Sequence, residues 1–389
     1  MKLEYFNYPK WEELEPGILP KNPTFLNYTP DFRMLRDFAS AYSHYPNLLV
    51  IGHGGSVTSF YGFYNALKYQ AKKQAYFLST VDPDYITELK KELSPQNTLV
   101  VAISKSGENT TQIEMLSQFV DFPLIIVTEQ SSPLEEIAKN LKAKVVTHPP
   151  IGGRYTGFTE VGLLPAALCG LNVKELFEGA QKFYYLYEKE NLAWQAASVF
   201  YQLEQKGFVD VFMPFYSHNL FALSPLIVQL CHESFGKVGK GQTYFAHEAP
   251  ESQHHTNQRF FGGRKNICGF FTSSGNFNVH DLSSNYTEPV EKVKIKNASF
   301  ADINHIPLAK SLEAECLGTI EDARINSIPL AHMTVADFSS VEIGSLTAFW
   351  QMYAVYASVL RQVDPFDQPQ VENSKKISFG KRLEYKSLL

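Results

Sequence analysis

The chain has 389 residues, 44% of them hydrophobic, and a formal net charge of -5. That length exceeds what one core usually serves and allows folding without metals or disulfides. No basic block runs along it, so nucleic acid is not an expected partner.

Residues 1–45 read as an N-terminal extension, and Met1–Lys10 has no apolar stretch of signal-peptide length. From Pro46 to Pro150 short β-branched runs alternate with amphipathic stretches, the pattern of βαβ units around a parallel sheet. Strands are expected at Asn47–Gly52, Gln74–Ser79, Thr98–Ser104, Pro123–Thr128 and Ala143–Thr147. Helices are expected at Ser59–Lys72, Tyr85–Leu93, Thr110–Val120 and Leu134–Leu141. This predicts a doubly wound α/β domain over residues 46–175, with ligand bound beyond the carboxyl ends of its strands.

Two of those strand ends carry phosphate-type turns. Gly52-His53-Gly54-Gly55-Ser56 follows the first strand, and Ser104-Lys105-Ser106-Gly107-Glu108-Asn109-Thr110-Thr111 follows the third. Glycines expose backbone N–H groups, the next helix adds partial positive charge and hydroxyls donate further bonds, which together suit a phosphate. Val57 stands where a dinucleotide fingerprint needs glycine, and no Walker A loop is present. A single phosphomonoester held by hydroxyls is therefore the expected ligand. Alone, either turn reads equally well as ordinary capping and turn chemistry.

The apolar runs Val161–Leu171 and Leu346–Leu360 are too short or too interrupted to span a bilayer, and a cytoplasmic protein is expected. A second α/β domain is expected over residues 176–363 and a C-terminal segment over 364–389. The second domain opens with a helical stretch at Leu176–Lys206 and has strands at Gly207–Pro214, Asn266–Thr272 and Pro329–Val335. Its other helices fall near Ser224–Phe235, within Phe300–Ala323, and at Ser345–Val363. Ser224-Pro225 reads as N-cap and first helical residue, and Gly236 as the stop. Gln229 and Glu233 are four apart and share a face, with Glu233 near the negative helix end, where taking up a proton is favoured. By itself Glu233 reads as a solvated surface carboxylate, and His254 and His255 as polar loop contacts. No metal-ligand spacing surrounds these histidines, and no metal or cofactor is expected. The four cysteines, Cys169, Cys231, Cys268 and Cys316, have no CxxC spacing and read as reduced core thiols.

Taken together, six blocks resemble the glucose-6-phosphate isomerase family in that family's order. They are Ile51–Ser56 (IGIGGS, with His53 for isoleucine), Ser104–Gly107 (SKTG), and Gly152-Gly153-Arg154-Tyr155-Thr156 with Val161–Pro165 (GGRYS…GLLP). The others are Gln229…Glu233-Ser234-Phe235-Gly236-Lys237 (QLxxESxGK), Gln253-His254 with Gln258 (QHxxxQ), and Pro365–Pro369 with Val371, Glu372 and Lys375 (NPFDQPGVExxK).

The resemblance implies two sugar-isomerase-type αβα domains with a C-terminal helical segment. It also implies a homodimer whose His254 serves the partner's site, and interconversion of glucose 6-phosphate and fructose 6-phosphate without a cofactor. By it, Glu233 carries the proton between C2 and C1, Arg154 faces the enediolate charge, and His254 and Lys375 assist ring opening. Gly55, Ser56, Ser104, Lys105, Ser106 and Thr110 hold the phosphate, while Gln229 and Gln368 line the site. Direct alignment puts Asn109 at the fourth phosphate ligand; a one-residue insertion at Glu108 puts Thr110 there. Two alternatives stay open on the sequence: an isomerase that also accepts mannose 6-phosphate, and a sugar-phosphate-binding regulator. Joint retention of Arg154, Glu233, His254 and Lys375 argues against the regulator, which needs no proton carriers.

Overall fold

The structure, a computed structural model, describes residues 1–8, 14, 23–186, 191–279 and 281–388. After strand β1 (Lys2–Phe6) and helix α1 (Phe32–Ala41) come β2 (Asn47–Ile51), α2 (Thr58–Ala66), β3 (Gln74–Leu78), α3 (Pro83–Glu92) and β4 (Thr98–Ile103). Then follow α4 (Thr110–Ser117), β5 (Leu124–Thr128), α5 (Pro133–Asn140) and β6 (Lys144–Thr147). The five strands β2 to β6 form one all-parallel sheet in the order β3-β2-β4-β5-β6. Each expected strand and helix of this region is present. The strands are legible because sheets covered on both faces are written as near-continuous apolar runs; Thr98–Ile103, for example, is buried throughout.

Helices α6 (Glu160–Leu168), α7 (Val173–Tyr184) and α8 (Leu192–Gln205) lead to the second sheet. The single helix expected over Leu176–Lys206 is thus two, and residues 187–190 between them lie outside the described residues. Next come β7 (Asp210–Tyr216), α9 (His218–Phe221), α10 (Ser224–Phe235), β8 (Thr243–Glu248), α11 (Thr256–Gly262) and β9 (Ile267–Ser274). A two-residue ladder of β10 (Lys294–Ile295) and β11 (Ala298–Ser299) precedes α12 (Leu308–Ile325), β12 (Leu330–Val335), α13 (Ser340–Leu360) and α14 (Glu372–Leu388).

The second sheet runs β1-β12-β9-β7-β8, parallel except for β1, which pairs antiparallel with β12. Omitting β1, its order β8-β7-β9-β12 matches β3-β2-β4-β5 of the first sheet, so the strand-end crevice recurs. The sequence reading lacks both edge strands of this sheet. Lys2–Phe6 finds its partner more than 300 residues away, and Thr243–Glu248 is only partly buried, so neither shows a clear apolar run. Ser224 is the first residue of α10 rather than its cap; Leu223 precedes it and makes no side-chain cap bond.

Alternate strand residues point to opposite faces, and the apolar clusters follow that period. Leu48, Val50, Leu99 and Val101 join Val211, Met213, Phe270 and Ala331 in one core between the sheets. Leu49, Ile51, Val100 and Ala102 pack on the outer face of the first sheet, and Phe212, Phe271 and Leu330 on that of the second. Helix α13 is buried nearly all round within the central core. Among the described residues no helix is long and apolar enough to cross a membrane. All four cysteines are free and buried, with burial raising each thiol's pKa.

Candidate active site

The carboxyl ends of β2 and β4 carry the two expected turns. After β2 the chain enters a 3₁₀ turn, Gly54–Ser56, whose glycines are required by contact rather than by flexibility alone. Gly54 has φ +50°, and a Cβ there would lie 2.8 Å from Nε2 of Gln229. At Gly55 it would lie 2.0 Å from the carbonyl carbon of Gly153. The turn therefore seats directly on the Gly153-Arg154 backbone and on α10. After β4, Gly107 has φ +66°, a conformation that glycine adopts without strain, and packs against Ser132 and Leu134.

The hydroxyls of this region are sparsely committed. Ser106 Oγ accepts only a long bond from the Glu108 N–H, 3.3 Å. Among the described residues, the Ser56, Ser104 and Thr110 hydroxyls make no hydrogen bond. Asn109 differs: its Oδ1 accepts from the Gln112 N–H at 3.3 Å and from the Thr111 hydroxyl at 2.6 Å, which makes it the N-cap of α4. Its side chain is occupied in capping, and Thr110 is the hydroxyl left free at that helix end. Lys105 pairs loosely with Glu129 at 3.8 Å.

Below these turns lies a dense polar seam. Arg154 is 2% exposed, and every side of its guanidinium is engaged. Nε donates to Ser234 Oγ at 2.8 Å, and NH1 donates to Glu233 Oε2 at 3.1 Å and to Gln368 Oε1 at 2.8 Å. NH2 is directed at the carbonyls of Glu233, Pro365 and Asp367. Gln229 completes the carboxylate's surroundings: its Nε2 donates to Glu233 Oε1 at 3.2 Å, and its Oε1 accepts from Thr58 at 3.1 Å. The i, i+4 spacing on α10 thus has the geometric consequence expected of it. Glu233 keeps 27% of its side chain open, while Arg154 keeps 1%. A buried cation with a half-open carboxylate partner is a fixed charge beside a group that can exchange protons.

The C-terminal segment reaches the seam through packing and charge. Phe366 stands edge-on to Tyr155, and Tyr155 stacks on Phe25 with ring centroids 4.8 Å apart. Lys237, 8% exposed, donates to the carbonyls of Asp364 and Asp367 and pairs with the Asp367 carboxylate. Ser234, Lys237, Tyr155, Thr58 and Asp367 are positioning residues to which the sequence reading gives no role. Four of them fall inside or beside the quoted blocks, where block membership was the available signal.

Two expected site residues lie apart. His254 ends a 3₁₀ turn after edge strand β8 and is exposed; among the described residues nothing bonds it to Arg154, Glu233 or Gln368. Its neighbour His255 pairs with Glu251 at 2.6 Å. Lys375 sits on α14, 57% exposed, and pairs with Glu372 at 2.7 Å. Its charge adds to burial in lowering the pKa of His53 in the first turn. Among the described residues no cluster of His, Cys, Asp and Glu could hold a metal ion.

Comparison with family models matches residues 38–265 to phosphoglucose isomerase. The chain is 26% identical over 360 residues to a probable glucose-6-phosphate isomerase of Methanococcus maripaludis, covering 86% of this chain and 78% of that one. Among solved structures, a hypothetical protein of Thermus thermophilus superposes with TM-score 0.82 at 26% identity, covering 90% and 87% of the two chains. A glucose-6-phosphate isomerase of Chlamydia trachomatis shares the fold with TM-score 0.76 at 20% identity, covering 92% and 73%.

Proposed function

The chain belongs to the phosphoglucose isomerase family, and we infer from this and from the seam that it interconverts glucose 6-phosphate and fructose 6-phosphate. The observation that carries the chemistry is the contact of buried Arg154 with Glu233 at 3.1 Å. In this reading the Glu233 carboxylate takes the proton from C2 of the open-chain aldose and returns it to C1 of the enediolate. Aldose–ketose exchange needs one proton carrier and a fixed positive charge beside the developing oxyanion. Arg154 supplies that charge by exchanging one NH1 bond, to Glu233 or Gln368, for the substrate oxygen.

The phosphate falls to the backbone of Gly55 and the hydroxyls of Ser56, Ser104, Ser106 and Thr110, with Lys105 adding charge. Gln229 and Gln368 hold the Glu233–Arg154 pair and line the crevice. Lys375 and His254 assist ring opening. The exposed position of His254, away from the seam, supports its service to a neighbouring subunit's site in a homodimer. We place the phosphate turns in a first domain over 46–175 and the base in a second over 176–363, and the protein in the cytoplasm.

A coupled assay of glucose 6-phosphate and fructose 6-phosphate tests this reading. Turnover in the wild type, and a loss on the order of 10²–10⁴-fold in kcat for Glu233→Gln with sugar-phosphate binding retained, are expected. Undiminished turnover in that variant removes Glu233 from the reaction.

A further inference from the structure

Thr58 is the first residue of α2 and follows the first glycine turn by two positions. Hydroxyls at helix starts commonly cap the backbone. Here no side-chain cap bond is made at the start of α2. The Thr58 hydroxyl instead reaches α10, 171 residues along the chain, and donates to Oε1 of Gln229 at 3.1 Å. The other end of the same amide donates from Nε2 to Glu233 Oε1 at 3.2 Å. Gly54, in the turn itself, closes a third side, since a Cβ there would lie 2.8 Å from that Nε2.

Close helix packing sets the distance that the amide spans. At Gly62, one turn further along α2, a Cβ would lie 2.5 Å from Cδ2 of Leu223, the residue before α10. A glutamine side chain has several rotatable bonds, and a single bond to a half-open carboxylate would leave it free to swing. Bonded at both ends, the amide has one placement. It then holds Oε1 of Glu233 while Arg154 NH1 holds Oε2. Proton transfer at carbon demands such a placement, because the base must reach its proton in a defined direction. We propose that Thr58 is a positioning residue for the base: acting through Gln229, it holds the Glu233 carboxylate in the orientation that reaches C2. This rests on the reading of Glu233 as the proton carrier. It goes beyond that reading in assigning what aims the carboxylate from its Oε1 side. It also couples the two ends of the crevice, because the segment 54–58, which that reading gives to the phosphate, is the one that holds the amide.

Thr58→Val is nearly isosteric and removes the donor, whereas Thr58→Ser keeps it. Positioning predicts that Thr58→Val lowers kcat about fivefold, the size of one lost neutral hydrogen bond, with KM for fructose 6-phosphate within about twofold. Thr58→Ser is expected to restore kcat to within about twofold of the wild type. Gln229→Met is expected to lower kcat about thirtyfold, and Thr58→Val added to it to lower kcat no further, because the hydroxyl acts only through the amide. An unchanged kcat in Thr58→Val or in Gln229→Met, a loss that Thr58→Ser does not restore, a raised KM with kcat kept, or multiplicative losses in the double variant overturns the proposal. Because these substitutions can disturb folding, a second measurement uses the unsubstituted protein. In its proton spectra the Thr58 hydroxyl, bonded to Gln229, is expected to exchange slowly enough to be seen and to show a nuclear Overhauser contact with the Gln229 side-chain NH2. A hydroxyl in fast exchange with water contradicts the proposal. Absence of wild-type turnover instead sinks the isomerase reading itself, and undiminished turnover in Glu233→Gln sinks the assigned base. With both of those intact, an additive cycle sinks only this inference.

Discussion

The two glycine turns after β2 and β4 and the seam beneath them are built on opposite terms. Around Ser56, Ser104, Ser106 and Thr110 the hydroxyls are bare or weakly bonded, while the glycines that shape the turns are locked by close contact. Around Arg154 every donor is used, and the atoms come from three distant segments: residue 154, α10, and residues 365–368. A binding end gains from donors left free for the ligand. A reacting end gains from charges that need not reorganise when charge develops, which is the physical content of electrostatic preorganisation.

This contrast can be broken from the seam side first. Arg154→Met removes the fixed charge and takes one donor each from Glu233, Gln368 and several carbonyls. It is expected to lower kcat on the order of 10²–10³-fold, as loss of an oxyanion donor does. Breaking a buried pair also costs about 3–5 kcal/mol of stability, read from denaturant midpoints. An active, equally stable variant contradicts the seam's dual role. From the other side, the double change Ser104→Ala and Ser106→Ala is expected to raise KM for the sugar phosphate about tenfold, with the unfolding midpoint nearly unchanged. An unchanged KM removes these hydroxyls from the phosphate.

The smallest effect, at neutral pH, sharpens the comparison at the back of the turns. His148 follows β6, is 1% exposed, bonds the Pro149 carbonyl through Nδ1 at 2.7 Å, and has an unpartnered Nε2. Burial, opposed by that bond and aided by the charge of Lys105, lowers its pKa to about 4. The unfolded chain takes up this proton near pH 6.5 and the folded one only near pH 4. Its contribution to stability is thus full above pH 6.5 and is lost as pH falls toward 4, by about 3 kcal/mol in all. His148→Leu should flatten stability against pH across that window; an unchanged slope there assigns the acid lability to other groups.

Legibility in the sequence follows the same division. The first sheet could be read strand by strand because its central strands β2, β4 and β5 are buried apolar runs, its edges β3 and β6 are bounded by turn residues, and its turns are contiguous in sequence. Edge strands β1 and β8 escaped because one pairs across nearly the whole chain and the other is half-exposed. On α10 the Gln229–Glu233 contact follows from helical spacing alone. The convergence of Arg154, Glu233 and Gln368 follows from no local rule, and only the block resemblance joined them. Lys237 enters the sequence only as a member of a quoted block, yet it is buried with its ammonium on the Asp364 and Asp367 carbonyls. Its role lies in tertiary contacts that periodicity does not encode. His53 is the reverse case: the sequence marks it as a departure from the family turn, and the structure leaves its buried Nδ1 without a partner.

The central claim is that Glu233, held by buried Arg154, carries the proton at C2. It is tested most directly by following hydrogen exchange at C2 of glucose 6-phosphate in deuterated water. The wild type is expected to incorporate deuterium at C2, and Glu233→Gln to bind the sugar phosphate without measurable incorporation. Incorporation by Glu233→Gln at the wild-type rate would contradict the claim and place the base elsewhere.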